Sequence, residues 1–210
     1  MATKKSQRIG IWIITIVMTV GTIGLFGVMM LDGTNQEIDK TRIQQMAADY
    51  QADVNAQAVK LSSKYFTEFN KYASYPAAFN KDEVQGLKTS DLKVGDGAKL
   101  TDQSTFTAYY IGWNPSGEVF DSSIDGTTLK APFTASPGGV ISGWTEGVAG
   151  MKVGGVRVLT IPSDKAYGEA GSGDKIPANT PLKFIVMVIP TPDPIVPPQA
   201  LVQYYQSGGR

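Results

Sequence analysis

Residues 138–155 read GGVISGWTEGVAGMKVGG, and within them WTEGVAGM is a lone short helical stretch in a region otherwise built of β-branched and aromatic runs. On one side lies STFTAYYIGW (104–113), rich in Thr, Tyr and Phe. On the other lie VRVLTIP (156–162) and LKFIVMVIP (182–190), bounded by Gly or Pro. Strands dominating around a single short helix predict an α+β class with a mainly antiparallel sheet. The Gly-punctuated composition that marks this unit begins at Lys93.

Upstream, a segment free of Gly and Pro runs from Thr34 to Tyr75, with apolar residues at Ile43, Met46, Tyr50, Val54, Ala58, Leu61, Tyr65, Phe69 and Tyr72. Steps of three and four describe one stripe of an amphipathic helix. Tyr75-Pro76 ends it, because a residue before proline avoids the helical region. A helical linker is therefore expected over residues 34–75, and if continuous it would be about 60 Å long. Two readings stay open: it holds the downstream domain off a membrane or pairs with another chain, or it packs its stripe on that domain. The many Ala, Gln and Asn weaken a coiled coil.

Between Arg8 and Asp32 lie 23 residues without a charge, IGIWIITIVMTVGTIGLFGVMML. As a helix they reach about 34 Å, against a hydrocarbon core of about 30 Å. A secretory signal peptide has a shorter apolar run, about 7 to 15 residues, ending in a small-residue cleavage site. Val28, Met29, Met30, Leu31 and Asp32 offer no such site. The reading is an uncleaved transmembrane signal anchor over residues 9–31 behind a cytoplasmic tail of residues 1–8. Lys4, Lys5 and Arg8 precede the span while Asp32, Glu37 and Asp39 follow it. Positive residues stay cytoplasmic, so a single-pass protein in the cell membrane is expected, with its C-terminal domain extracytoplasmic.

The 210-residue chain is 42% apolar and 18% charged, enough for one globular domain plus extensions. Lys plus Arg and Asp plus Glu balance at 19 each, which lacks the basic excess of a phosphate-binding surface, so no nucleic-acid partner is expected. With no histidine and no cysteine, Ser-His-Asp and Cys-His nucleophiles, thiol redox chemistry and His/Cys zinc sites are excluded. No cofactor is expected, and an exported domain without disulfides must be stable through its core. GEAGSG (168–173) lacks the Lys-Ser/Thr of a phosphate loop and reads as a plain loop. The Pro-rich tail over residues 191–210 reads as an extended segment that either drapes over the domain or stays loose.

Four pieces arrive in order: YYIGWNPSGEVFDSS (109–123), GGVISGWTEGVAGMKVGG (138–155), IPSDKAYGEAGSGDKIPANT (161–180) and LKFIVMVI (182–189). Together they resemble the FKBP family, the macrolide-binding peptidyl-prolyl cis-trans isomerases, over residues 90–190. The resemblance implies an antiparallel sheet of five or six strands curled around one short helix, with a hydrophobic pocket between them. Carried over residue by residue, it implies catalytic roles for Tyr110, Asp121, Tyr167 and Phe184. It implies substrate binding by Phe120, Phe133, Val140, Ile141, Trp144 and Ile176. Trp144 would form the pocket floor, and Tyr167 with the Ile141 N–H would hold the ligand's carbonyls. Proline-containing polypeptides are the implied clients, and macrolides possible ligands.

The chemistry agrees with the composition. Isomerising an X-Pro bond needs no nucleophile and no proton shuttle, only a lower barrier to twisting an amide, normally about 18 to 20 kcal/mol. The twisted amide loses resonance and much of its charge separation, so a dry aromatic pocket disfavours the planar ground state. Taken singly, Phe120, Trp144 and Phe184 read equally as ordinary core, and Asp121 as a turn cap. Asp125, Glu146 and Lys152 read as solvated charges.

Two departures from the family pattern stand out. The loop after A-Y-G carries Ser172, Gly173, Asp174 and Lys175 in place of an aromatic or His and an aliphatic residue, which predicts a polar, flexible flap. No Arg follows F-D-S-S to pair with Asp121. The leading function is a peptidyl-prolyl cis-trans isomerase acting on exported proteins. The alternative is a membrane-anchored, non-catalytic FKBP-like chaperone or binding module.

Overall fold

A computed structural model describes residues 34–208 of the protein. A long helix, α1 (Thr34–Phe69), leads into strands β1 (Lys88–Lys93), β2 (Phe106–Trp113) and β3 (Val119–Ser122). A small hairpin follows, β4 (Ile124–Asp125) with β5 (Thr128–Leu129), and then β6 (Phe133–Ala135), helix α2 (Ser142–Val148), β7 (Val156–Ile161), β8 (Leu182–Ile189) and helix α3 (Gln199–Gln206). Six strands make one antiparallel sheet in the order β1-β7-β8-β2-β3, with β6 paired to the other end of β2. Sheet and short helix are as expected. The anchor expected over residues 9–31 and the tail before it lie outside the described residues. Among the described residues no helix is long and apolar enough to cross a membrane.

Both faces of the sheet are buried. Leu182, Phe184, Val186 and Val188 of β8 pack with α2 in one core. Ile185, Met187 and Ile189 pack with Phe69 of α1 in a second. Antiparallel sheets commonly leave one face to solvent and then alternate apolar with polar residues; here α1 covers the outer face, so β8 is apolar at every position but Lys183.

The docking of α1 resolves its two readings for its C-terminal part, which packs on the domain. Phe69 is fully buried, its ring 6.0 Å from that of Tyr109, and Tyr65 lies 6.1 Å from Tyr109 on the other side. The regular helix stops at Phe69, where this anchoring pins its last turn, and a 3-10 turn (Asn70–Tyr72) follows. It therefore ends short of the expected Tyr75-Pro76 boundary.

The C-terminal tail differs from the extended segment expected. It carries α3, whose Leu201 is buried, packed against α1. Pro198 stands at the N-cap, where a missing N–H strands no donor. Gln57 of α1 reaches back to donate to the Asp193 carbonyl at 2.8 Å, so the extended prolines run along α1 before the tail turns helical.

Candidate active site

Helix α2 lies unusually close to β7. A Cβ on Gly143 would stand 2.3 Å from Ile161 Cγ2, and one on Gly147 would stand 2.8 Å from Leu159 Cδ2. These glycines, one helical turn apart, are why the sequence GWTEG is needed there: any side chain would lift the helix off the sheet. The approach presses Trp144, only 4% exposed, into the space above β2 and β8.

Three rings meet Trp144 edge to face, the arrangement that ring quadrupoles favour, while Phe106 stacks on it from the core. The Trp144 centroid lies 5.3 Å from Phe184, 5.4 Å from Tyr110 and 5.9 Å from Phe133. Phe120 meets Phe184 at 5.5 Å. Gly112 makes room for that pair, since a Cβ there would stand 2.6 Å from Phe120 Cζ and 2.7 Å from Phe184 Cε1. These rings line a cavity of about 590 Å³. Tyr110, Phe120, Asp121, Phe133, Val140, Ile141, Trp144, Tyr167, Ile176 and Phe184, all ten residues singled out in the sequence, border it. Trp144 and Phe184 are core and pocket wall at once, which is why the two readings of these aromatics could not be separated by type.

Asp121, on β3, borders the cavity and caps neither a turn nor a helix among the described residues. The Tyr110 hydroxyl donates to its Oδ2, and the Ser122 N–H donates to Oδ1 at 2.8 Å. Burial, with the Asp121 charge second, pushes the Tyr110 hydroxyl far above the ordinary tyrosine range. Burial also raises Tyr167, again with Asp121 as the second cause. Both phenols therefore stay neutral donors. Among the described residues the Tyr167 hydroxyl has no hydrogen-bond partner, and Tyr167 borders the cavity. Ile141 is the N-cap of α2, so its own N–H lies ahead of the helix's hydrogen-bond ladder.

Two features escaped the sequence. Lys130 Nζ stands 3.8 Å from Asp121 Oδ1, supplying a cation that the residues just after F-D-S-S do not. Only the β4–β5 hairpin, folding the chain back, brings it there. The flap is polar as expected, and Lys175 within it makes contacts that the sequence did not indicate. Asn114 Nδ2 donates to the Lys175 carbonyl at 3.0 Å, and Lys175 Nζ reaches the Val119 carbonyl and Glu118 at 3.3 Å each. Asn114 is buried and could not be recognised as a flap anchor without the fold. Glu146, read as solvated, pairs with Lys165. Among the described residues no cluster of acidic side chains is placed to hold a metal ion.

An antiparallel sheet folded over one short helix, with an aromatic cavity bordered by the neutral Tyr110 and Tyr167 hydroxyls, defines a protein with one preformed apolar binding pocket beside its sheet. Residues 96–189 match the FKBP-type peptidyl-prolyl cis-trans isomerase family. The chain is 42% identical over 104 residues to an FK506-binding protein of Neisseria meningitidis serogroup B, covering 50% of this chain and 94% of that protein. It is 44% identical over 107 residues to a probable FK506-binding protein of Corynebacterium glutamicum, covering 50% of this chain and 86% of the relative. A solved peptidyl-prolyl cis-trans isomerase from Pseudomonas syringae pv. tomato is 30% identical, covering 64% of this chain and 93% of that one at a TM-score of 0.45. The chain belongs to the FKBP-type peptidyl-prolyl cis-trans isomerase family. Helices α1 and α3 and strand β1 lie outside the matched residues.

Proposed function

We propose that this protein is a membrane-anchored, extracytoplasmic prolyl isomerase that accelerates cis-trans exchange of X-Pro bonds in exported polypeptides. The observation that carries the catalytic part is the aromatic cavity bordered by Trp144, Phe184 and the neutral Tyr110 and Tyr167 hydroxyls. A proline ring seated on Trp144 strips water from its amide. The planar amide, with its larger charge separation, loses more from this than the twisted one does. Tyr167 and the Ile141 N–H donate to the substrate carbonyls, while Asp121 orients Tyr110 and takes up no proton. Macrolides of the FK506 type compete for the same cavity.

The anchoring part is supported by the uncharged run over residues 9–31 and by the positive flank before it. Helix α1 begins at Thr34, directly beyond that run. Its far end is docked on the isomerase domain, so the pocket would be carried on a stiff stalk.

Two experiments test this reading. Uncatalysed X-Pro exchange takes tens to hundreds of seconds, so acceleration by the full-length protein in detergent is easily resolved. No acceleration on any of several X-Pro peptides would remove the enzyme and leave a binding module. Protease added to spheroplasts should digest the domain, and the protein should stay with membranes after carbonate washing. Protection until lysis would overturn the topology, and a mature form starting near residue 33 would sink the anchor.

A further inference from the structure

We propose that α1 is part of the isomerase's working unit: through Ser62 it fixes the β4–β5 hairpin, and the hairpin holds Lys130 beside the Asp121 carboxylate. Ser62 and Lys130 are thereby positioning residues for the pocket. The proposal rests on that pocket being the isomerase site.

The connection can be followed atom by atom. Ser62 is only 7% exposed, and its hydroxyl accepts the Leu129 N–H at 2.8 Å in a buried setting. The Leu129 side chain is buried in the outer core beneath α1. Lys130, the next residue, donates its N–H to the Ser123 carbonyl at 2.8 Å, closing the hairpin onto β3. Ser123 in turn is bound to the Tyr110 backbone twice: its N–H donates to the Tyr110 carbonyl at 2.8 Å, and its hydroxyl accepts the Tyr110 N–H at 2.9 Å. The Lys130 ammonium then stands 3.8 Å from Asp121 Oδ1, while Asp121 Oδ2 accepts the Tyr110 hydroxyl.

The hairpin needs such support, because β4 and β5 pair over only two residues each and a short two-stranded ribbon is marginal by itself. With α1 gripping one side, Lys130 is held where its charge favours the Asp121 rotamer that turns Oδ2 to Tyr110. The matched family span begins at residue 96, so the grip comes from this chain's own extension. The side chains of Lys130 and Asp121 are 44% and 22% exposed, and a pair of that kind carries a modest effect.

The test uses full-length protein in detergent and the kcat/KM for isomerisation of an X-Pro peptide. K130Q should lower kcat/KM about two- to fivefold, the rate equivalent of a partly exposed ion pair. K130R should restore it, and raising the salt should shrink the difference between wild type and K130Q. S62A should lower the rate in the wild-type background and have little further effect in K130Q, because it acts through Lys130. S62T, which keeps the acceptor, should retain activity whether or not S62A folds well. Wild-type rates in K130Q, or losses that simply multiply in the S62A/K130Q double variant, would overturn the proposal. An inactive wild type would sink the isomerase reading and this proposal together, whereas an active wild type with indifferent variants would sink this proposal alone.

Discussion

Arg157 on β7 grips Asp91 on β1 through both carboxylate oxygens, Nε to Oδ1 at 2.6 Å and Nη2 to Oδ2 at 3.0 Å. The same guanidinium, nearly buried, donates from Nη1 to the carbonyls of Gly147 and Ala149 at 2.9 and 3.1 Å. One side chain thus clips the edge strand to the sheet and caps the C-terminal end of α2, where a cation also meets the negative end of the helix dipole. The pocket floor is held from behind by this clip, since Trp144 sits on the helix it caps.

Replacing Arg157 by Ala should therefore be severe. Two helix-end carbonyls and a carboxylate lose their partner together, at a cost of about 3 to 5 kcal/mol, read as a lower denaturant midpoint. Asp91→Asn should be far milder, because the Asp91 carboxylate is more than a third exposed and the guanidinium keeps its carbonyls. The pair also has a pH signature. Its bond to Arg157 holds the Asp91 carboxyl below the ordinary Asp range, so its stabilisation is present above the unfolded value of about 3.9 and lost as the pH falls through the lower folded value. The stability gap between wild type and Asp91→Asn should be flat from pH 5 to pH 8, within about 0.5 kcal/mol, and shrink below about pH 4. A gap that widened in acid would refute this assignment.

Tyr109→Phe should leave stability unchanged or raise it by up to about 1 to 3 kcal/mol, the cost of an unpaired buried hydroxyl. Tyr109 is fully buried between Tyr65 and Phe69 on the outer face, and its hydroxyl finds no partner among the described residues. Thermal unfolding of the variant decides the matter, and a marked loss would mean the hydroxyl is satisfied in solution.

Much of this was legible because local chemistry dictated it. WTEGVAGM stands out as a short helix among strand-forming runs, and the absence of His and Cys leaves any catalysis to hydroxyls, carboxylates, amines, backbone groups or shape; the close approach of Gly143 and Gly147 to β7 came only with the fold. The cavity residues, spread from Tyr110 to Phe184, were named only through the resemblance of four ordered pieces to the FKBP family. What stayed hidden depends on chain reversal. Lys130 reaches Asp121 only through the hairpin, Asn114 anchors a flap 61 residues away, and the second core exists only because α1 returns to the sheet. The apolar stripe of α1 did not say which surface it would meet, and the prolines at the head of the tail concealed α3 behind them.

Gly112→Ala should damage the pocket more than its single methyl suggests. The new Cβ would fall within 2.8 Å of atoms on both Phe120 and Phe184, and Phe184 cannot retreat without disturbing Trp144, whose ring centroid is 5.3 Å away. We expect at least a tenfold loss of kcat/KM, corresponding to about 1.4 kcal/mol, with a smaller fractional loss of stability. Phe184→Leu is the better probe of the wall itself, since Phe184→Ala would cost about 3 to 5 kcal/mol through the void it leaves. Wild-type turnover in Gly112→Ala would mean that the Phe120 and Phe184 rings are not part of the working wall.

Asp121→Asn tests whether the carboxylate orients or transfers a proton. The amide retains an oxygen that can accept the Tyr110 hydroxyl but loses the attraction to Lys130, so kcat/KM should fall only about three- to tenfold, the scale of weakening one charge-assisted hydrogen bond. A general base would cost about a hundredfold or more when removed. The pH profile separates the two roles further. With no histidine or cysteine in the chain and burial raising both Tyr110 and Tyr167 above the ordinary tyrosine range, no pocket phenol titrates between about pH 6 and pH 9. The rate should be level across that interval in wild type and in Asp121→Asn alike. A bell-shaped profile near neutrality, or a loss of a hundredfold in Asp121→Asn, would show that isomerisation here moves a proton after all.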